Sequence, residues 1–187
     1  MKPSKFALAA IIPVALVACT GATTIYYSDN MSKFYPDFVR QAAASGEMAV
    51  EIYGDPFGAS GPSKAAIANE LRMPPFYGKA KFTTTPKPEN AKQRLVMVFN
   101  PQHPSPGGKA VCTDPKGIAL APAANPMRIE MALCSSRDWV SEATVVGPRG
   151  GDVKDPQFRN TLDDGLRELM PYINRNDLDT PCGSPFC

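Results

Sequence analysis

The sequence predicts an α+β fold, a two-layer sandwich in which about three helices lie on a mostly antiparallel sheet of four or five strands. Three observations lead there. Residues 47–53 and 128–134 place apolar side chains at every second position, the period of a half-buried strand. Residues 35–45, 62–72 and 155–170 place them every three or four positions, with Pro and Asp where helices begin. Between these groups Leu95-Val-Met-Val-Phe99 is apolar without alternation, as expected of a strand covered on both faces in the middle of a sheet.

Lys2 and Lys5 precede an apolar stretch from Phe6 to Val17 that is broken once by Pro13, the pattern of a secretion leader. The stretch is too short to cross a bilayer, which takes about 20 apolar residues. Its end, Leu16-Val17-Ala18-Cys19, resembles the lipobox of bacterial lipoproteins. The resemblance implies diacylglycerol on the Cys19 sulfur, cleavage between Ala18 and Cys19, and usually a further acyl chain on the new amino terminus. Each buried methylene contributes about 0.8 kcal/mol, so two or three chains anchor stably where one holds marginally. Ordinary secretion is the alternative, with cleavage after Thr20-Gly21-Ala22. Thr20, where Asp would mark inner-membrane retention among enteric lipoproteins, favours the outer membrane. The expected organisation is a leader over 1–18, a lipidated tether over 19–30 and one α+β periplasmic domain over 31–187.

Within that domain, Pro36 and Asp37 suit the first turn of a helix over about 35–45, and Gly46 suits the residue after its end. A strand over 47–53 follows, with Met48, Val50 and Ile52 on one face. The turn-rich Gly54–Gly61 leads into a helix over about 62–72, with Ala66, Ile67 and Leu71 inward, stopped by Pro74-Pro75. Phe82–Thr85 reads as a strand, its threonines favouring extended backbone. Residues 101–126 are rich in Pro, Gly and Ala, with at most a short strand near 110–113. Arg128–Cys134 and Trp139–Val146, joined by Ser135-Ser136-Arg137-Asp138, form a hairpin. A last helix opens with Asp155 as cap and Pro156 at its first position, buries Phe158, Leu162, Leu166 and Leu169, and ends near Met170 because Pro171 disfavours continuation.

Lys2 and Lys5 are two of 20 basic residues, so a chain without the leader sets 18 basic against 18 acidic residues. That balance argues against nucleic acid as a partner, since such binding rests on excess positive charge. The 20 prolines, roughly twice average usage, predict stiff connections. Of five cysteines the lipobox takes Cys19; the other four allow two bridges, preferred as Cys112 with Cys134 and Cys182 with Cys187. A zinc site is the alternative use of four cysteines, but no C-x-x-C pair is present.

No catalytic constellation is visible. His103, the single histidine, lies between prolines in a polar loop with no marked nucleophile or orienting carboxylate. Asp163 and Asp164 are helix neighbours that point apart. Gly147–Asp152 lacks phosphate-loop spacing and reads as a connection. The eight methionines form no metal-binding array, and Trp139 reads as core. We therefore expect no cofactor, no metal and no catalytic residues. Gly54–Gly61 carries Phe57, either exposed among glycines as a contact for a partner protein or folded back as a core plug.

The stretch Val50–Leu71, together with chain size, is similar to the small strand-loop-helix-strand assembly lipoproteins of the outer membrane. That likeness does not carry function; the lipid anchor, the neutral single domain and the absence of a catalytic constellation lead instead to a non-enzymatic adaptor or assembly factor, held to the membrane through Cys19 and binding another envelope protein. The alternatives are a binder of a small molecule, glycan or lipid under the proline-rich loop and, third, an unrecognised periplasmic enzyme.

Overall fold

A computed structural model describes residues 22–27, 34–58, 61–88, 91–102 and 106–173. In chain order the elements are β1 (Thr24–Tyr27), α1 (Pro36–Ala42), β2 (Glu47–Tyr53), α2 (Lys64–Glu70), β3 (Lys81–Thr83), β4 (Gln93–Phe99), α3 (Gly107–Thr113), β5 (Met127–Ser135), β6 (Asp138–Gly147) and α4 (Pro156–Leu169). One sheet joins all six strands in the order β1-β6-β5-β4-β2-β3. β2 runs parallel to both β3 and β4, and the remaining neighbours are antiparallel.

The class is α+β, but the sheet is larger than expected and mixed. Two residue-level causes account for this. Thr24–Tyr27, assigned from sequence to the tether, instead pairs with Ala143–Val146 as an edge strand. The unit β2-α2-β3 returns the chain to the same end of the sheet through a helix, and such a crossover makes the two strands parallel.

Ala110–Thr113, expected as at most a short strand, lies in α3. Helical spacing brings the adjacent Val111 and Cys112 against the sheet together, whereas a strand would turn one of them outward. Four α-helices are therefore present among the described residues, and they do not all share one layer. α1, α2 and α4 cover one face of the sheet through Val39, Ile67, Phe158 and Leu166. α3 covers part of the other, against Val96, Val98, Ala132 and Cys134. Cys112 and Cys134 are disulfide-bonded, with Cα atoms 5.6 Å apart. The bridge ties a helix to β5 instead of joining two strands.

The periodic segments fold as their spacing predicts. Met48, Val50 and Ile52 are buried together, and Leu95–Phe99 is buried throughout, between β5 and β2. In α4 the Asp155 side chain accepts from the Gln157 and Gly151 amides, both at 2.8 Å, which holds its carboxyl below the usual carboxylate range. Phe158, Leu162, Leu166 and Leu169 are all buried, each contributing about 1.5–3 kcal/mol of transfer free energy. Gly165 lets the helix approach the sheet, since a Cβ there would stand 2.8 Å from both Met131 Sδ and Val145 Cγ2. At the far end of α4, Ser141 Oγ donates to the Leu169 carbonyl at 2.8 Å. The 136–137 turn of the β5–β6 hairpin has Ser136 at φ 56, and β5 and β6 meet Ser135 to Asp138.

Candidate functional site

The helix α2 stops because Leu71 turns extended and Pro74-Pro75 cannot continue it. Those prolines open a single 3-10 turn, Pro75–Tyr77, which sets two consecutive aromatic rings on opposite sides of the chain. Tyr77 turns inward and donates its hydroxyl to the Pro171 carbonyl at 2.6 Å. Phe76 turns outward, 40% exposed. Pro171 follows α4, so that bond draws the next residues alongside: the Phe76 ring meets Tyr172 edge-on at 5.5 Å and Tyr77 at 4.8 Å. With Tyr172 58% and Ile173 48% exposed, three of the large exposed apolar side chains fall together here. Isolated apolar side chains on a surface are ordinary, whereas a contiguous group marks a contact site. The Arg40 guanidinium stands 6.0 Å from the centre of the Tyr77 ring, completing a rim of charge and aromatic surface.

Beside this cluster runs a groove of about 630 Å³ between the end of α2 and the segment leading into β3. Its apolar floor comes from Ala68, Leu71, Met73 and Phe82, and its charged groups are Arg72, Lys79 and Lys81, with no carboxylate among the lining residues. Arg72 meets Asp163 on α4 at 3.7 Å, and burial pushes that carboxyl above the usual range. Lys79 and Lys81 are exposed. Among the described residues β3 pairs with β2 alone and forms the edge of the sheet.

Burial pushes the Tyr77 phenol up to about 12, so at neutral pH it stays protonated and serves as a hydrogen-bond donor. A second polar group lies on the opposite face of the sheet: Tyr53 donates to Glu51 at 2.8 Å, Arg94 meets Glu51 at 2.7 Å, and Lys64 lies 5.2 Å from the Tyr53 ring centre. Tyr53 is likewise pushed up to about 12 by burial and by that hydrogen bond, and is no candidate base. Among the described residues no group of three or more His, Cys, Asp or Glu side chains could hold a metal ion. No helix among them is long and apolar enough to cross a membrane.

Of the residues singled out from sequence, Cys19, His103, Cys182 and Cys187 lie outside the described residues. Phe57 is half-buried. Its ring packs 5.2 Å from Phe158, Arg149 stands 5.5 Å from its centre, and Arg149 donates to the Pro56 carbonyl. It packs at the edge of the core and stays partly exposed. Trp139 is partly buried against the Cys112–Cys134 cluster. Val111 and Cys112 pack beneath 106–118, and an open groove of about 510 Å³ lies along that stretch, lined by Pro106, Lys109, Thr113, Asp114 and Ile118 among others. Phe76, Tyr172 and Ile173 were not singled out from sequence. The signal was Pro-Pro-Phe-Tyr-Gly, a proline-opened turn too short to hide two adjacent aromatics.

Comparisons with protein-family models, curated proteins and solved structures gave no match. The likeness of Val50–Leu71 to outer-membrane assembly lipoproteins gains no support from them, and the reading of this surface rests on its own residues.

Proposed function

We propose that the chain is a non-enzymatic lipoprotein adaptor of the bacterial envelope. It is anchored through Cys19 to the outer membrane on the periplasmic side and binds another envelope protein at the Phe76–Tyr172–Ile173 cluster and the adjoining groove. The observation that carries the binding surface is the exposed aromatic cluster set beside an apolar groove whose charged lining is wholly cationic. Aromatic anchors around a pocket are the form of protein-binding hot spots. The charge selects a partner segment that is acidic and apolar, and the edge position of β3 suits one that is extended.

The test is purification from membranes of a producing bacterium with the lipid intact, after crosslinking. A partner recovered with wild-type protein, lost with Phe76→Ala and with Lys79→Glu/Lys81→Glu, and retained with Phe57→Ala supports the reading. No stable partner, or one indifferent to these changes, ends it. Intact mass beside a Cys19→Ala variant tests the anchor separately. The second reading, a binder of a small molecule, glycan or lipid, draws on the groove's volume, which is within the roughly 300–1,000 Å³ of ligand pockets. A ligand co-purifying in proportion to the protein and lost with Lys79→Glu/Lys81→Glu would favour it.

A further inference from the structure

The two ends of the sheet differ in chemistry, and the chain enters at one of them. β1 runs antiparallel to β6 and starts opposite Val146, so Thr24 lies at the end where β6 finishes, β5 begins and β4 and β2 finish. Cys19 is five residues before Thr24. A fully extended chain covers at most about 3.3–3.6 Å per residue, so the strand begins no more than about 18 Å from the lipidated cysteine. The strand β6, ten residues long, carries the 136–137 turn about 30 Å away at the opposite end. The leash is shorter than the sheet. An upright domain seated on its hairpin turn would hold Thr24 too far from the bilayer for the lipid to insert.

Beside Arg149, Asp152 and Lys154 of the loop after β6, an uncharged stretch suited to a lipid surface lies on the entry end. Ala119-Leu-Ala-Pro-Ala-Ala-Asn-Pro126 crosses it without a single charged residue, and all but Ala123 are exposed. Leu120 is 41% exposed. The buried Asn100 fixes this segment to the sheet end: its carbonyl accepts from the Ala121 amide at 2.7 Å, its own amide donates to the Arg128 carbonyl at 2.7 Å, and its side chain reaches the Asp55 carbonyl. Gly54, at φ 74, lets the neighbouring loop close against β4, where a Cβ would stand 2.5 Å from the Phe99 carbonyl oxygen. The opposite end carries Glu47, Lys81, Lys92, Arg137 and Asp138, together with the Phe76–Tyr172–Ile173 cluster.

We propose that the sheet end at which β1 begins faces the bilayer, with Ala119–Pro126 lying against the lipid headgroups. The aromatic cluster then points away into the periplasm. This orientation rests on acylation at Cys19, and it explains how one small domain can touch a membrane and a partner at once.

The single tryptophan makes this measurable. Trp139 lies next to the hairpin turn, at the end assigned away from lipid. Acylated full-length protein, its mass verified, is placed on phosphatidylethanolamine and phosphatidylglycerol vesicles that carry a nitroxide on a fraction of the headgroups. Native Trp139 fluorescence should match that on unlabelled vesicles, as should an Arg137→Trp/Trp139→Phe variant. A Leu120→Trp/Trp139→Phe variant should be strongly quenched. Amide exchange of the acylated wild type, with and without vesicles, covers a variant that fails to fold: slowing should be confined to 119–125 and its neighbours on that end. Equal quenching at 120 and 137, stronger quenching at 137, or slowing centred on 136–138 overturns the orientation. A mass without acyl chains removes the anchor as well, so the two failures are distinguishable.

Discussion

The two faces of the sheet are held by different means. The broad face, under α1, α2 and α4, is a continuous apolar layer with four phenylalanines, Phe34, Phe82, Phe99 and Phe158, and six methionines, Met48, Met73, Met97, Met127, Met131 and Met170, all buried. The narrow face, under α3, has a small apolar cluster of Val96, Val98, Val111, Ala132 and the two cysteines. Polar ties surround that small cluster. Arg94 bonds Glu51, the Ser136 carbonyl at 2.6 Å and the Cys112 carbonyl at 3.2 Å. The buried Glu130 accepts from Thr144 at 2.7 Å and from Arg128 at 3.2 Å, and Glu142 accepts from the Gly108 amide at the start of α3. A seven-residue helix with so little apolar contact would be marginal alone. The disulfide and the charge-assisted bonds supply what burial does not.

The largest expected effect falls on the broad face. Leu162→Ala, under α4, should cost about 2–5 kcal/mol in urea unfolding, the range for buried Leu→Ala changes, and most of it should be a cavity term because neighbouring side chains are packed on every side. Removal of the Cys112–Cys134 bridge by Cys112→Ala/Cys134→Ala should cost about 3 kcal/mol through the freed 22-residue separation. The two losses differ in origin. The first acts on the folded state and leaves the dependence on urea nearly unchanged, while the second also loosens the unfolded chain and should steepen it. If losing the bridge cost nothing, α3 would be held by its polar ties alone and the contrast between the faces would fail.

The same contrast governs how much the sequence discloses. On the broad face, burial repeats at the periods of strand and helix, so β2, β4, β5, α2 and α4 are readable from residues such as Met48, Val50 and Ile52 or Leu162, Leu166 and Leu169. On the narrow face, α3 shows no period. It begins with Gly107-Gly108, carries two inward residues side by side, and takes its place from a covalent bond and from Glu142, neither of which leaves a local pattern. Thr24–Tyr27 is rich in strand-forming residues, yet its proximity to the lipobox suggested a tether, and only pairing with β6 makes it a strand. The candidate site was illegible for a related reason. Phe76 and Tyr172 are 96 positions apart in numbering and meet through one hydrogen bond, Tyr77 to Pro171.

A smaller effect sharpens the comparison on the narrow face. Arg94→Met keeps the stem of the side chain but loses bonds to a carboxylate and two carbonyls, and should cost about 2 kcal/mol, the scale of hydrogen bonds made by a charged group. Because Arg94 and the bridge both fix Cys112, the loss in the variant already lacking the disulfide should be smaller than in wild type. A double-mutant cycle measures that difference, and strict additivity would mean the two ties act on separate parts of the structure.

The smallest effect separates the faces by pH. Tyr77 on the broad face and Tyr53 on the narrow face both have phenols pushed from 10 up to about 12, chiefly by burial. The folded value exceeds the unfolded one, so the fold favours the protonated phenol. That contribution is fully present below pH 10 and is lost as pH rises from 10 to 12. Tyr77→Phe should cost about 1 kcal/mol at pH 7, by leaving the Pro171 carbonyl unpaired, and should flatten part of the alkaline decline. Tyr53→Phe should flatten the rest with less loss at pH 7, because Glu51 keeps Arg94. Urea unfolding of wild type and both variants from pH 7 to pH 11 reads the two separately. An alkaline decline unchanged in Tyr77→Phe would place its phenol in water, and with it the link that holds Tyr172 against Phe76.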